Sequence, residues 1–192
     1  MTHRLALLCL FLAPVAFGQS RTYTVKPGEK STAQFHAEDT YDVFDGVTKK
    51  VSGTIVANPA APDSSSVTLT VDIHSLDTGV GLRNKEMRER YMHTPRFPVA
   101  TFKSVSVDGP ASIAPNTPVD ISVTGDFTLH GITKRMTIPV RVVLIPDGTQ
   151  VHASSTFNVH MPDFGISVPK NVLVTVNDNI PVRLDIWATA VK

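Results

Sequence analysis

Over long stretches of this chain apolar and polar residues alternate with a period of two, the pattern of strands that bury one face. Val67, Leu69, Val71 and Ile73 interleave with Thr68, Thr70 and Asp72. Ile121, Val123, Gly125, Phe127 and Leu129 do the same, and after Gly131 the pattern resumes in Met136, Ile138, Val140, Val142 and Leu144, so these two runs predict a hairpin. Residues 151–159 and 182–190 supply two more runs, and residues 23–25, 31–36, 51–57 and 100–107 read as less regular strands. Turn chemistry separates them at Asn58-Pro59, Pro62-Asp63, Asp108-Gly109-Pro110, Pro115-Asn116 and Pro146-Asp147-Gly148. The reading predicts eight or nine strands.

One segment departs from that period. Residues 80–92 lack proline and are rich in helix formers, with Val80, Asn84, Met87 and Tyr91 on one side at helical spacing. They predict a short amphipathic helix inside a long connection, ended before Pro95. Segregated strands with a lone helix favour an all-β antiparallel barrel or sandwich over an α/β fold. An eight-stranded closed barrel is just wide enough to fill with side chains or to hold one small ligand. Small inward candidates (Ala57, Ala100, Gly125, Ala153, Ser155, Ala188) and bulky ones (Phe35, Phe102, Phe127, Phe157) leave both outcomes open.

The first residues carry a different signal. A short basic start through Arg4, an apolar run over residues 5–15 and the small residues of Ala16-Phe17-Gly18 make the three-part pattern of a signal peptide. That run falls short of the ~20 residues a membrane-spanning helix needs. Cleavage is expected after Gly18, dividing the chain into a leader over residues 1–18 and one domain over residues 19–192, in a periplasmic or secreted protein. The leader takes with it Arg4 and Cys9, the single cysteine, leaving acidic and basic residues balanced at 17 each. Thiol chemistry, disulfides and cysteine-ligated metals are thereby excluded from the domain. A near-neutral charge gives no electropositive footprint, so no nucleic acid is expected as a partner.

Three stretches, Ser75-Leu76-Asp77-Thr78-Gly79, Leu82-Arg83-Asn84-Lys85-Glu86-Met87 and Phe97-Pro98-Val99-Ala100-Thr101-Phe102-Lys103-Ser104, resemble the central block of the YceI-like family of polyisoprenoid-binding proteins. Val123-Thr124-Gly125-Asp126-Phe127-Thr128-Leu129-His130-Gly131-Ile132-Thr133-Lys134 is similar to that family's signature strand and turn. Gly46 and Gly53 keep its paired-glycine spacing, and Asp163-Phe164-Gly165-Ile166 matches its late motif. The resemblance implies a lipocalin-like, eight-stranded antiparallel barrel that encloses a long isoprenoid or other lipid chain. The chain departs from the family pattern at Asn84 and Glu86, where an acidic residue and a histidine are usual, and at Thr48 and Val51, where the family tends to place aromatics.

The apolar residues expected to line the cavity are Phe35, Phe44, Leu69, Val71, Met87, Phe97, Phe102, Phe127, Leu129 and Met136. Arg83 and Arg88 are the candidate head-group contacts, because an arginine fork can hold a phosphate bidentately; against this stands a solvated helix face on which Glu86 pairs with Arg90. The expected partners are the lipid, a membrane in transient contact and a second copy in a homodimer; no cofactor and no catalytic residue is expected.

Two other function classes remain open on the residues. A periplasmic hydrolase or metal enzyme on the same barrel would draw on Asp77-Thr78-Gly79 or on histidines. The tripeptide occurs once, and aspartic-protease chemistry needs two carboxylates in contact, so a turn is the simpler reading. His152 and His160 share a strand face, but at ~3.4 Å per residue they lie too far apart for one metal. No G-x-S-x-G elbow or phosphate loop occurs. The other class is a solidly packed barrel acting through protein contacts.

Overall fold

The alternating runs fold as strands whose apolar members turn inward, and the strands join edge to edge until the sheet closes on itself. In the computed structural model, residues 19–28, 30–169 and 175–191 are described; the leader expected over residues 1–18 lies outside them. The strands are β1 (Arg21–Val25), β2 (Thr32–Glu38), β3 (Val43–Thr48), β4 (Val51–Ala57), β5 (Ser66–Asp72), β6 (Val99–Asp108), β7 (Val119–Leu129), β8 (Ile132–Leu144), β9 (Gln150–His160) and β10 (Asn179–Ala190). Every pairing is antiparallel, in the order β1-β4-β5-β6-β7-β8-β9-β10, and Tyr23 opposite Ala190 brings β1 back to β10.

Ten segments make an eight-stranded wall because two positions are broken strands. β10 pairs with β1 near its end and with β2 at residues Val182 to Asp185, so β1 and β2 follow one another along the same edge. Pro27 lacks an N–H and Gly28 adopts φ +80°, which interrupts the strand there. Across the gap Gly28 N–H donates to Lys49 O at 2.8 Å, where β3 gives way to β4. Alternation in the sequence predicts β2 and β4 but not β3, where Asp45 and Gly46 interrupt it. The Phe35 ring occupies the space above Gly46 that a β-carbon would take.

The predicted hairpin is β7–β8. His130 and Gly131 both have positive φ (52° and 78°), as a two-residue type I′ turn requires. The helix spans less than expected as regular α-helix: α1 (Gly81–Glu86) gives way to a wider π-type turn over Met87–Tyr91, in which Met92 N–H reaches back to Met87 O at 2.8 Å. Glu86 and Arg90 stand beside Met87 and Tyr91 on the cavity side.

Inside the wall the apolar residues gather in two clusters. One contains Tyr23, Val25, Val51, Leu69, Leu144, Val151, Ile186 and Ala188, the other Ile73, Leu76, Ala100, Leu129, Val159, Phe164 and Ile166. Members of both, such as Leu69 and Val151 in one and Ile73 and Leu129 in the other, face a common cavity. The barrel is therefore not packed solid.

Candidate functional site

That cavity measures about 760 Å³ and takes side chains from β2 to β10 and from α1. Its size falls within the roughly 300–1,000 Å³ of sites that enclose a small molecule. Phe35, Phe44, Leu69, Val71, Met87, Phe102, Phe127 and Leu129, all named from the sequence, stand on its surface. So do Ile121, Ile138, Val140, Val142, Phe157 and Leu184, which the sequence analysis assigned to strands without assigning them to a site. Their inward parity was the available signal.

Two expected lining residues lie elsewhere. Phe97 precedes β6, and its ring fills the space over Gly131 and meets His130 edge-on with centroids 4.7 Å apart. It braces the outside of the β7–β8 turn. Met136 is half-buried and packs against the cluster around Leu129 and Val159 without reaching the cavity surface. Polar lining groups are few, and Ser155 is satisfied by donating to Pro139 O at 2.6 Å.

The Asp77-Thr78-Gly79 turn acts as a brace. The Asp77 carboxylate accepts from Gly79 N–H at 2.8 Å and from the Asn84 amide at 2.7 Å, while Asn84 Oδ1 accepts from the Thr78 N–H and hydroxyl, both at 2.8 Å. Asn84 is buried and uses both ends of its amide to bind the turn to α1. Its hydrogen bond holds the Asp77 carboxyl below the usual carboxylate range, helped by the Gly79 N–H and by Arg88 and opposed by desolvation. An aspartate at position 84 would instead set two carboxylates against each other. The same turn exchanges backbone hydrogen bonds with Val47 (2.9 and 3.0 Å), tying it to β3.

The two arginines named for head-group contact are engaged by the protein. Arg83 Nε donates to Thr78 Oγ1 at 3.0 Å, Nη2 to Thr78 O at 3.0 Å, and Nη1 pairs with Asp42 at 3.1 Å, while its guanidinium lies 3.9 Å from the Phe44 ring centre. It is a strut between α1 and the β2–β3 turn, although its side chain also borders the cavity. Arg88 is not among the lining residues; it donates from Nη2 to Leu76 O at 2.9 Å, while its Nε is buried without a partner. The structure does not bring the pair together as a clamp. Arg90, expected from the sequence to pair with Glu86 on a solvated helix face, borders the cavity together with Glu86.

The histidines have local partners. His130 Nδ1–H donates to Phe164 O at 3.0 Å, which leaves Nε2 to accept from His93 Nδ1–H at 2.8 Å. His152 stacks on Trp187 and His160 lies near Asp163 and Asp178. Among the described residues no group of three or more His, Cys, Asp or Glu is placed to hold a metal, and no helix is long and apolar enough to cross a membrane.

A closed antiparallel barrel around an apolar cavity, with a short helix beside the opening, defines the class of this molecule. The chain belongs to the YceI-like family, whose domain model matches residues 23–188. Protein YceI of Escherichia coli O17:K52:H18 is 29% identical over 120 residues, covering 62% of this chain and 59% of that protein. Protein YceI of Salmonella newport is 26% identical over 148 residues, 74% of each. Two solved structures share the fold. Burkholderia cenocepacia BcnA has a TM-score of 0.70 at 22% identity, covering 83% of this chain and 97% of that one. A polyisoprenoid-binding domain from Saccharophagus degradans has a TM-score of 0.67 at 16% identity, covering 90% and 100%.

Proposed function

We propose that this chain is an exported lipid-binding protein that sequesters or carries an isoprenoid-type lipid, such as a polyprenyl phosphate or an isoprenoid quinone, and performs no reaction on it. The observation that carries the reading is the cavity of about 760 Å³, walled by aliphatic and phenyl side chains along the barrel. The similarity of the fold to a polyisoprenoid-binding domain supports it. The leader pattern of residues 1–18 supports a periplasmic or secreted location.

The driving force is burial of CH₂ and CH₃ groups, at about 0.8 kcal/mol each. Affinity for prenyl alcohols should therefore climb with each isoprene unit until the cavity is full and then level off. An affinity independent of chain length would reject the reading. The residues at the opening support tolerance of the head group, since Arg83 is already bonded within the protein and Arg88 does not line the cavity.

A further inference from the structure

Among the described residues eight large apolar side chains are exposed, and four of them, Tyr41, Val43, Val80 and Leu82, belong to only two turns. The others, Val99, Val105, Ile132 and Val191, are spread over β6, β8 and the residue after β10. Single exposed valines and isoleucines are ordinary on a protein surface; a group beside an opening is not. Tyr41 and Val43 flank Asp42 at the β2–β3 turn, while Val80 and Leu82 begin α1. Arg83 holds the two turns side by side through Asp42 at 3.1 Å and the face of Phe44. Leu82 is 72% exposed and Tyr41 74%, yet Leu82 and Val80 also line the cavity. The same side chains thus face the interior and the solvent.

The geometry points to this pair of turns as a lip that docks on a lipid bilayer, the place from which cargo enters the cavity. The inference rests on the reading that the cavity takes a lipid. A long isoprenoid is held in bilayers because its chain is expelled from water, so an apolar path from bilayer to cavity avoids exposing it. Aliphatic side chains and a tyrosine are suited to the boundary between head groups and acyl chains. The nearby charges are mixed: Arg83, Lys85, Arg88 and Arg90 stand among Asp39, Asp42, Glu86 and Glu89. Such a surface offers no net attraction for anionic head groups, so docking depends on apolar insertion and tolerates salt. A protein partner seated on the lip would cover the opening that the cargo must cross, which favours the bilayer as occupant.

The test compares the full chain with a Tyr41→Asp/Val43→Asp variant, both positions being exposed and outside the cavity lining. The probe is a fluorescent prenyl alcohol, offered either in phosphatidylcholine vesicles or in detergent micelles. With vesicles, the wild-type transfer rate should rise with vesicle concentration and fall at least tenfold in the variant, in low and high salt alike. Uptake from micelles should be the same for both. A transfer rate independent of vesicle concentration and equal in the two proteins would overturn the lip, because cargo would then be crossing through water. A dimer that the variant dissolves would overturn it in favour of a self-contact. Failure of the wild type to take probe from micelles would count against the lipid-binding reading instead. Co-sedimentation of cargo-free protein with plain vesicles then decides the lip separately, through its presence in the wild type and loss in the variant.

Discussion

The ring of Phe102 on β6 lies across the backbone of Gly125 on β7, with its Cζ 2.5 Å from the point where a β-carbon on that glycine would stand. A β-carbon there would also lie 2.6 Å from Lys103 O, so any larger residue must move both the ring, which borders the cavity, and the β6 backbone. Gly125→Val should push Phe102 into the cavity, destabilise the fold by about 1–3 kcal/mol and cut lipid uptake. Adding Phe102→Ala should recover part of both losses, as chemical denaturation and uptake of a labelled prenyl alcohol would report. Independent, additive losses would mean that the two residues are not coupled in this way.

Phe127 meets Phe157 and Phe164 edge-on, with centroids 6.0 and 5.4 Å away, and faces the same space. Phe127→Asp places a carboxylate on an apolar wall where the cross-strand Lys134 is already paired with Asp163, so uptake should be lost or the variant should bind only with its new acid protonated. Titrating uptake against pH in the folded variant checks this. Wild-type uptake at neutral pH would remove Phe127 from the binding surface.

How far the site could be foreseen depended on what kind of residue carried it. The barrel and most of the cavity wall were legible because strand parity sorts Leu69, Val71, Phe127 and Leu129 to one side in a single pass. β3 was hidden because Gly46 yields its own side-chain space to Phe35, a partner a strand away. The bonding of the arginines was hidden for a related reason. Charge and spacing put Arg83 and Arg88 on a helix, but the acceptors they reach, Asp42, Thr78 and Leu76, are placed by tertiary contacts. Phe97, an aromatic before a strand, carried no mark that its ring would serve the outer side of the β7–β8 turn.

Removing the strut tests its role. Arg83→Met should weaken binding of neutral and phosphorylated isoprenoids to the same degree, by loosening α1 against the β2–β3 turn. Isothermal titration with a prenyl alcohol and its monophosphate separates the cases. A loss confined to the monophosphate would restore Arg83 as a head-group contact.

The Asn84–Asp77 bond sets a pH dependence. Folding lowers the Asp77 pKa, so its contribution to stability is present above the ordinary carboxylate range and disappears as pH falls through the lowered folded value. Asn84→Ala should cost about 1–3 kcal/mol at neutral pH, because buried groups of the Thr78 turn lose their acceptor. Asn84→Asp should behave oppositely in pH, recovering stability in acid as one of two facing carboxylates takes up a proton. Thermal melts from neutral to acidic pH read both trends, and parallel curves for wild type and Asn84→Asp would refute the pairing.

Native mass spectrometry of the purified protein, before and after organic extraction, reads directly whether the barrel holds a lipid chain. A lipid-filled barrel gives an adduct of defined mass that extraction removes, and whose mass resolves into isoprene repeats. A homogeneous, folded protein that carries no adduct and acquires none from an isoprenoid mixture would contradict it.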